Sequence, residues 1–187
     1  MIEIELKFLI NQTQISDLST KLVGIGFVLN KPRTYEISIM YDNERGTMQH
    51  TDGRIRLRRS VDRVELAYKK PLSREKIKKE IEDQIVVSSF EETQKILEAM
   101  GFFPTTSYER YRTEYVLDKT KITFDEYPFV SFIEIEGEEK DIVEWANQLD
   151  LKLANNLTDS CDTLFTKWRG QKGLSPKPHM KFDDYDR

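Results

Sequence analysis

Charged side chains recur at every second position in segment after segment of this chain. Glu3, Glu5 and Lys7 are spaced this way, as are Arg54, Arg56 and Arg58; Arg110, Arg112 and Glu114; Lys121 and Asp125 around Thr123; and Glu134 and Glu136. In extended backbone a residue and its second neighbour share a face, so each segment shows one face of formal charge. The alternate residues are apolar: Ile4, Leu6 and Phe8; Ile55 and Leu57; Tyr111 and Tyr115; Ile122 and Phe124; Ile133 and Ile135. Lys69 with Glu65, opposite Leu66 and Tyr68, extends the pattern, as does Lys78 with Glu80 and Glu82 more weakly. A single face of this kind is ordinarily the solvent side of an antiparallel sheet. Repeated over strand after strand that reading weakens, because the charged faces carry few of the Ser, Thr and Gln that solvated strands also use.

The chemistry that suits such faces is polyphosphate chemistry. Lys and Arg clusters grip phosphate oxygens, Arg through forked pairs. Carboxylates two apart on a strand lie ~6.6 Å from each other, so Glu pairs on facing strands can converge on a hard cation. Magnesium or manganese would be held by a few carboxylates together with water and phosphate oxygens, and would offset charge at an attacked phosphorus. The stretch from Arg54 to Lys79 is strongly basic within a chain of net charge −4, which points to an anionic ligand rather than a general affinity for nucleic acid. No Gly-x4-Gly-Lys-Ser/Thr loop is present, so this is not a P-loop enzyme.

The elements that must position these residues are strands with a few helices between them. Strict alternation marks a strand over 2–10, and strand-like segments follow near 33–42, 53–60, 63–70, 77–87, 107–117, 119–127 and 130–137. Ile15, Leu18, Leu22 and Ile25 fall at helical spacing and are stopped by Gly24 and Gly26. Ser89-x-x-Glu92 reads as a capping box for a second helix, ended by Gly101. A third helix carries Ile142, Trp145, Ala146 and Leu149, and a short fourth carries Cys161, Leu164, Phe165 and Trp168, with the cysteine and both tryptophans read as core. The loop charges Arg74, Lys76, Lys78 and Lys79 read as a solvated loop, with a substrate-touching flap as the alternative, and His50 as surface. A faint repeat is visible: Glu3/Glu5, a helix and Gly26-Phe27 are echoed by Glu80/Glu82, a helix and Gly101-Phe102.

Helices can cover only the apolar face of such a sheet. If the sheet closes on itself, the charged faces point inward, and that interior cannot be dry, since each unpaired buried ion costs several kcal/mol. The expected fold is therefore α+β: an eight-stranded antiparallel barrel with helices packed outside and a wet, charged tunnel. One domain over residues 1–169 and a loosely ordered tail over 170–187 are expected.

Composition bounds the rest. At 187 residues and 38% apolar, the chain can bury a core, and 33% charged residues is above the usual quarter. No apolar run is long enough to span a membrane, and the N-terminus opens on a charged strand rather than a signal peptide. A single cysteine excludes a disulfide framework and suits a reducing cytoplasm, while two distant histidines make a His-based zinc site improbable.

The residues also carry a resemblance. Glu3-x-Glu5-x-Lys7 resembles the ExExK signature of the CYTH superfamily, the triphosphate tunnel metalloenzymes. Ile55-Arg56-Leu57-Arg58, Leu66-Ala67-Tyr68-Lys69-Lys70-Pro71, Lys79-Glu80-Ile81-Glu82, Arg110-Tyr111-Arg112, Phe124-Asp125-Glu126 and Phe132–Gly137 follow in the family's order. Within the superfamily the likeness is to the class IV adenylyl cyclase branch, through the long segment Pro71–Lys79 and the Glu80–Glu82 strand. Where the family has Ser-Tyr near its end, this chain has Ser160-Cys161. The resemblance implies a tunnel that binds a nucleoside triphosphate or an inorganic polyphosphate. It implies Glu3, Glu5, Asp125, Glu134 and Glu136 as ligands for Mg2+ or Mn2+, and Lys7, Arg56, Arg58, Lys69, Arg110 and Arg112 as the phosphate grip. Glu80 and Glu82 would line the wall and organise the bases. Arg54 and Lys121 point the same way.

The leading expectation is a class IV adenylyl cyclase, in which the ribose 3′-oxygen displaces pyrophosphate at the α-phosphorus. The rival within the tunnel is an inorganic or thiamine triphosphatase, and a further alternative is a non-catalytic polyphosphate-binding module. No general base is identifiable. No membrane or specific nucleic-acid partner is expected, and a homodimer would cover apolar outer faces.

Overall fold

Alternating sequence becomes strand at each segment named above. The computed structural model of the chain describes residues 1–73 and 75–184; Arg74, among the loop charges, and residues 185–187 of the tail lie outside the described residues. The elements are β1 (Ile2–Ile10), α1 (Gln12–Ile25), β2 (Val28–Asn43), α2 (Thr47–Thr51), β3 (Arg54–Arg59), β4 (Val64–Ser73), β5 (Lys78–Val87), α3 (Phe90–Ala99), β6 (Phe102–Leu117), β7 (Thr120–Glu126), β8 (Ser131–Glu136), α4 (Glu139–Gln148), α5 (Cys161–Gln171) and β9 (His179–Met180). The sheet runs β2-β3-β4-β5-β1-β8-β7-β6, and β6 pairs back with β2, so eight antiparallel strands close into a ring. The short β9 adds to β6 in parallel, outside the ring.

The faint repeat is real in three dimensions. Each half is a strand, a helix, a 16-residue strand and two further strands: β1-α1-β2-β3-β4, then β5-α3-β6-β7-β8. The halves meet at four seams, β1 with β5, β2 with β6, β1 with β8 and β4 with β5. α2 is peculiar to the first half.

Register places opposite charges face to face across the strands: Lys7 with Glu134, Lys69 with Glu82, Arg58 with Glu65, Glu36 with Arg110, Arg112 with Asp125, and Lys121 with Glu136. Such pairs stabilise a sheet, and all of them lie on its inner face. On the outer face α1 and α4 set Leu18, Leu22, Ile142 and Ala146 against Leu6, Phe8, Ile122, Phe124, Ile133 and Ile135. α3 sets Phe90 and Leu97 against Tyr41 and Leu57. A third cluster closes one end of the ring: Met40, Tyr108, Tyr127 and Phe132 from the barrel, Phe165 from α5, and Met180 from β9.

α1 starts at Asn11, whose side chain accepts from the Gln14 N–H while the Gln14 side chain accepts from the Asn11 N–H, both at 2.9 Å. Gly26, at φ 114°, ends it, rather than Gly24. Ser89 caps α3 through the Glu92 N–H.

Two strands begin several residues before the alternation does. β2 starts at Val28 and β6 at Phe102, and they pair to their ends through irregularities beside Pro32 and opposite Pro104. A proline has no N–H for the ladder, so alternation is a poor guide there. In the described part of the tail, Met180 is buried and the Ser107 N–H donates to the Pro178 carbonyl. No helix among the described residues is long and apolar enough to cross a membrane.

Candidate active site

The ring encloses a cavity of about 430 Å3 lined mostly by formal charges. β1 runs along it, bringing Glu3, Glu5 and Lys7 to successive depths. At one end the lining is Asn30, Lys31, Arg63, Glu65, Gln84 and Glu114, of which Asn30, Arg63 and Gln84 are exposed: this is an open mouth. At the other end the lining is Met40, Tyr108, Tyr127 and the start of α5, Ser160 to Asp162. Asn156 fastens that closed end: its side chain accepts from the Lys7 N–H at 2.7 Å and donates to the Lys76 carbonyl at 2.8 Å.

Acids and bases are paired along most of the cavity. Lys69 donates to Glu3 at 2.6 Å and lies 3.1 Å from Glu82, which also holds Arg56 at 3.3 Å. Lys78 bridges Glu5 at 2.8 Å and Glu80 at 2.7 Å, and Glu80 also pairs with Arg54. Lys7 sits 3.1 Å from Glu134 and 3.6 Å from Glu5. Arg110 donates to Glu36 at 2.6 Å and to Asp125 at 2.9 Å; Arg112 grips Asp125 and donates to Glu134 at 2.8 Å.

The electrostatics show a surplus of positive charge at one spot. Burial pulls the Arg58 guanidinium down to about 10, and the neighbouring Arg110 and Arg56 add to it, with Glu36 at 3.7 Å opposing. Burial would raise the Tyr108 phenol, yet Arg56, Arg58 and Arg110 together bring it below its ordinary value. The Nε–H groups of Arg54 and Arg56 are sealed from solvent without an acceptor among the described residues. Crowded guanidiniums with spare donors are what a multivalent anion relieves. The acids are ionised in spite of burial: Lys69 holds Glu3, and Lys7 with Arg112 holds Glu134, well below the usual carboxylate range. Burial leaves Glu136 raised to about 7, against the pull of Lys121 and with the like charge of Glu3 adding to it.

Of the residues singled out in the sequence, Glu3, Glu5, Lys7, Arg56, Arg58, Lys69, Glu80, Glu82, Arg110, Arg112 and Glu134 all line this cavity. Asp125 and Glu136 are not part of the lining; Asp125, fully buried, braces Arg110 and Arg112, and Glu136 pairs with Lys121 at 2.5 Å. Lys78 corrects the reading of a solvated loop: it opens β5, is buried, and stands between Glu5 and Glu80. Its two-residue spacing from Glu80 was the available signal. Cys161 packs against the aromatic cluster as a core residue and also touches the cavity, with burial pushing its thiol pKa well up. Arg58 turns to Glu36 and Ser38 rather than to Glu80 or Glu82. Glu36 gave no signal, because Ser38 and Met40 share its face of β2.

The donor set fits a hard divalent cation. Glu3, Glu5 and Glu134 offer ionised or lysine-paired oxygens to one cavity, with no soft ligand among them but the buried thiol of Cys161. Among the described residues no three acids or histidines meet as a ready metal cage.

A closed antiparallel ring with charged walls is the architecture expected of triphosphate tunnel proteins, and the sequence profile of the CYTH domain matches residues 1–163. The chain belongs to the CYTH domain family. No curated protein matches this CYTH domain by sequence. Solved structures match it in fold. A Vibrio parahaemolyticus protein provisionally named an adenylate cyclase superposes with a TM-score of 0.77 at 18% identity, covering 89% of this chain and 98% of that one. The PH1012 protein of Pyrococcus horikoshii gives 0.72 at 20% identity, covering 84% and 96%. A Hippeastrum protein provisionally named an adenylyl cyclase, and described as having a dominant triphosphatase activity, gives 0.61 at 15% identity, covering 93% and 96%. At these identities the likeness is one of fold.

Proposed function

We propose that this CYTH domain is a divalent-metal-dependent enzyme acting on a triphosphate, and that it hydrolyses the terminal phosphate. The observation that carries the triphosphate reading is the crowd of Arg56, Arg58 and Arg110, with Arg58 pulled to about 10 inside an enclosed cavity. Hydrolysis is favoured over nucleotide chemistry by the open mouth, whose lining of Asn30, Lys31, Arg63, Glu65, Gln84 and Glu114 holds no aromatic or apolar surface for a purine. The second reading is a class IV adenylyl cyclase, supported by the resemblance of the Pro71–Lys79 segment and the strand that follows it.

As the anion enters, Lys7, Arg56, Arg58, Lys69, Arg110 and Arg112 exchange carboxylate oxygens for phosphate oxygens. This orients the chain of phosphates along β1 and fixes the phosphorus for in-line attack. Asp125, outside the lining, and Glu36, within it, both hold Arg110 and keep that guanidinium aimed. Mg2+ or Mn2+, held by Glu3, Glu5 and Glu134, would neutralise charge on the phosphoryl oxygens. A single cysteine and such a substrate suit the cytoplasm.

Phosphorus NMR of tripolyphosphate, thiamine triphosphate and ATP incubated with the protein and Mg2+ or Mn2+ tests this. Orthophosphate is the expected product; cyclic AMP with pyrophosphate would establish the second reading, and tight binding without turnover would leave a binding module. Arg56→Ala removes one charge-assisted contact of about 1.5–3 kcal/mol, so affinity for tripolyphosphate should fall about 10–100-fold. Unchanged affinity by isothermal titration would remove Arg56 from the site.

A further inference from the structure

One acid in the cavity differs from the rest. The deep carboxylates Glu5, Glu80 and Glu134 each have an ammonium or guanidinium within salt-bridge distance. Asp162, on the first turn of α5, lines the closed end of the same cavity, and no ion pair or hydrogen bond of its side chain is found among the described residues. Its Oδ1 is sealed from bulk solvent. Ser160 already caps the helix through the Thr163 N–H, so Asp162 is not needed there. The groups that face it are Lys7 from β1, Arg54 from β3, Tyr108 from β6 and its neighbour Cys161. The residue is only partly buried, but a carboxylate oxygen cut off from water without a partner is costly. An anion tunnel gains nothing in binding from a carboxylate at its inner end, where it would repel the arriving phosphate.

Among the described residues the tunnel has one open mouth and one closed end, so a substrate carrying an organic group would enter with its terminal phosphate leading. That phosphate then comes to rest by Lys7, Arg54 and Arg56, with Asp162 beyond it. We propose that Asp162 is the general base, taking a proton from a water lodged between it and the terminal phosphorus. The inference rests on the triphosphate reading above and extends it. The water oxygen bonds to the terminal phosphorus while the bond from that phosphorus to the bridging oxygen breaks. The electron pair of that bond leaves with the bridging oxygen on the shortened polyphosphate. One water proton passes to Asp162, the other stays on the released orthophosphate, and Asp162 then returns its proton to solvent. Burial, against the weaker pull of Arg54 and Lys7, lifts this carboxyl above the ordinary range of an aspartate, toward the working pH of a base. The nucleophile's activator thus comes from the segment that departs from the family's Ser-Tyr.

Asp162→Asn, which keeps shape and removes basicity, should lower kcat for tripolyphosphate about 100-fold or more. Metal-free affinity for tripolyphosphate, read by isothermal titration, should hold or rise and so also report an intact fold. The wild-type kcat should fall as pH drops through the Asp162 pKa, because only the ionised carboxylate accepts the proton, and that limb should vanish in Asp162→Asn. Asp162→Glu should recover part of the rate. Wild-type turnover with an Asp162→Asn variant of near-normal kcat and an unaltered acid limb would overturn the role of Asp162 while leaving the triphosphate reading intact. Cyclic AMP as the wild-type product would overturn the placement of the terminal phosphate, and absence of any turnover would overturn both.

Discussion

Glu134→Gln should lose about 1,000-fold or more in kcat while remaining folded. The change is nearly isosteric, and β8 keeps its ladder on both sides, to β1 and β7. What disappears is the charge that Lys7 at 3.1 Å and Arg112 at 2.8 Å hold ionised, and with it one of three oxygen donors proposed for the cation. Loss of metal assistance removes several kcal/mol of transition-state stabilisation, which is the source of the expected factor. A merely structural role predicts something different for the anion. With Glu134 neutral, Lys7 and Arg112 are freer to meet phosphate, so metal-free affinity for tripolyphosphate should hold or rise. Manganese binding, followed by paramagnetic relaxation of water, should weaken at the same time. Full metal-dependent activity in this variant would sink the carboxylate assignment.

Arg110→Met should destabilise the protein by about 3–5 kcal/mol, the usual result of breaking a buried ionic network by removing one partner. The Arg110 guanidinium, itself 3% exposed, holds Glu36 and Asp125, which are 3% and 0% exposed, and also donates to the Tyr127 hydroxyl at 3.3 Å. Methionine fills much of the volume and leaves both acids without that partner. Urea denaturation should show a lower midpoint at unchanged slope. By contrast, Lys119→Met breaks a pair with Glu138 that is open to water on both sides, and should leave the midpoint in place. The pH dependence has a definite sign. In the native wild type Arg110, foremost among several cations that overcome burial, holds Glu36 below the usual carboxylate range, so this contribution is present above the unfolded value near 4.3 and is lost as pH falls below it. The difference between wild type and variant should therefore narrow below about pH 4. A gap that stays constant down to pH 3 would argue that Glu36 is not the acid stranded by the substitution.

Period-two spacing carried most of the barrel, because it reports directly which residues share a face. Glu3, Arg56, Arg110 and Glu134 were legible as an interior for that reason. Lys78 was obscured by the basic residues around it, which look like a solvated loop until β1 supplies Glu5 opposite. Asp125 and Glu136 carry the right chemistry for a metal, but register hands one to Arg110 and Arg112 and the other to Lys121. Parity cannot foresee that, since it depends on which strand lies alongside. Asp162 was beyond reach altogether: its place at the closed end follows from how α5 packs on Phe129, Phe132 and Tyr127, contacts that no spacing encodes.

The ring also dictates how the chain must come together in time. Hairpins such as β3–β4 and β7–β8 join neighbours in sequence, but the barrel closes only when β1 meets β8 and β2 meets β6, segments drawn from opposite ends or opposite halves of the chain. Until those seams form, β2-β3-β4-β5-β1 and β8-β7-β6 are open sheets with bare edges and a charged face toward water, so the loop-closure entropy is spent before the outer core is complete. Closure should therefore be the slow, late event of folding, and an open sheet preceding it would offer free edges to a second chain.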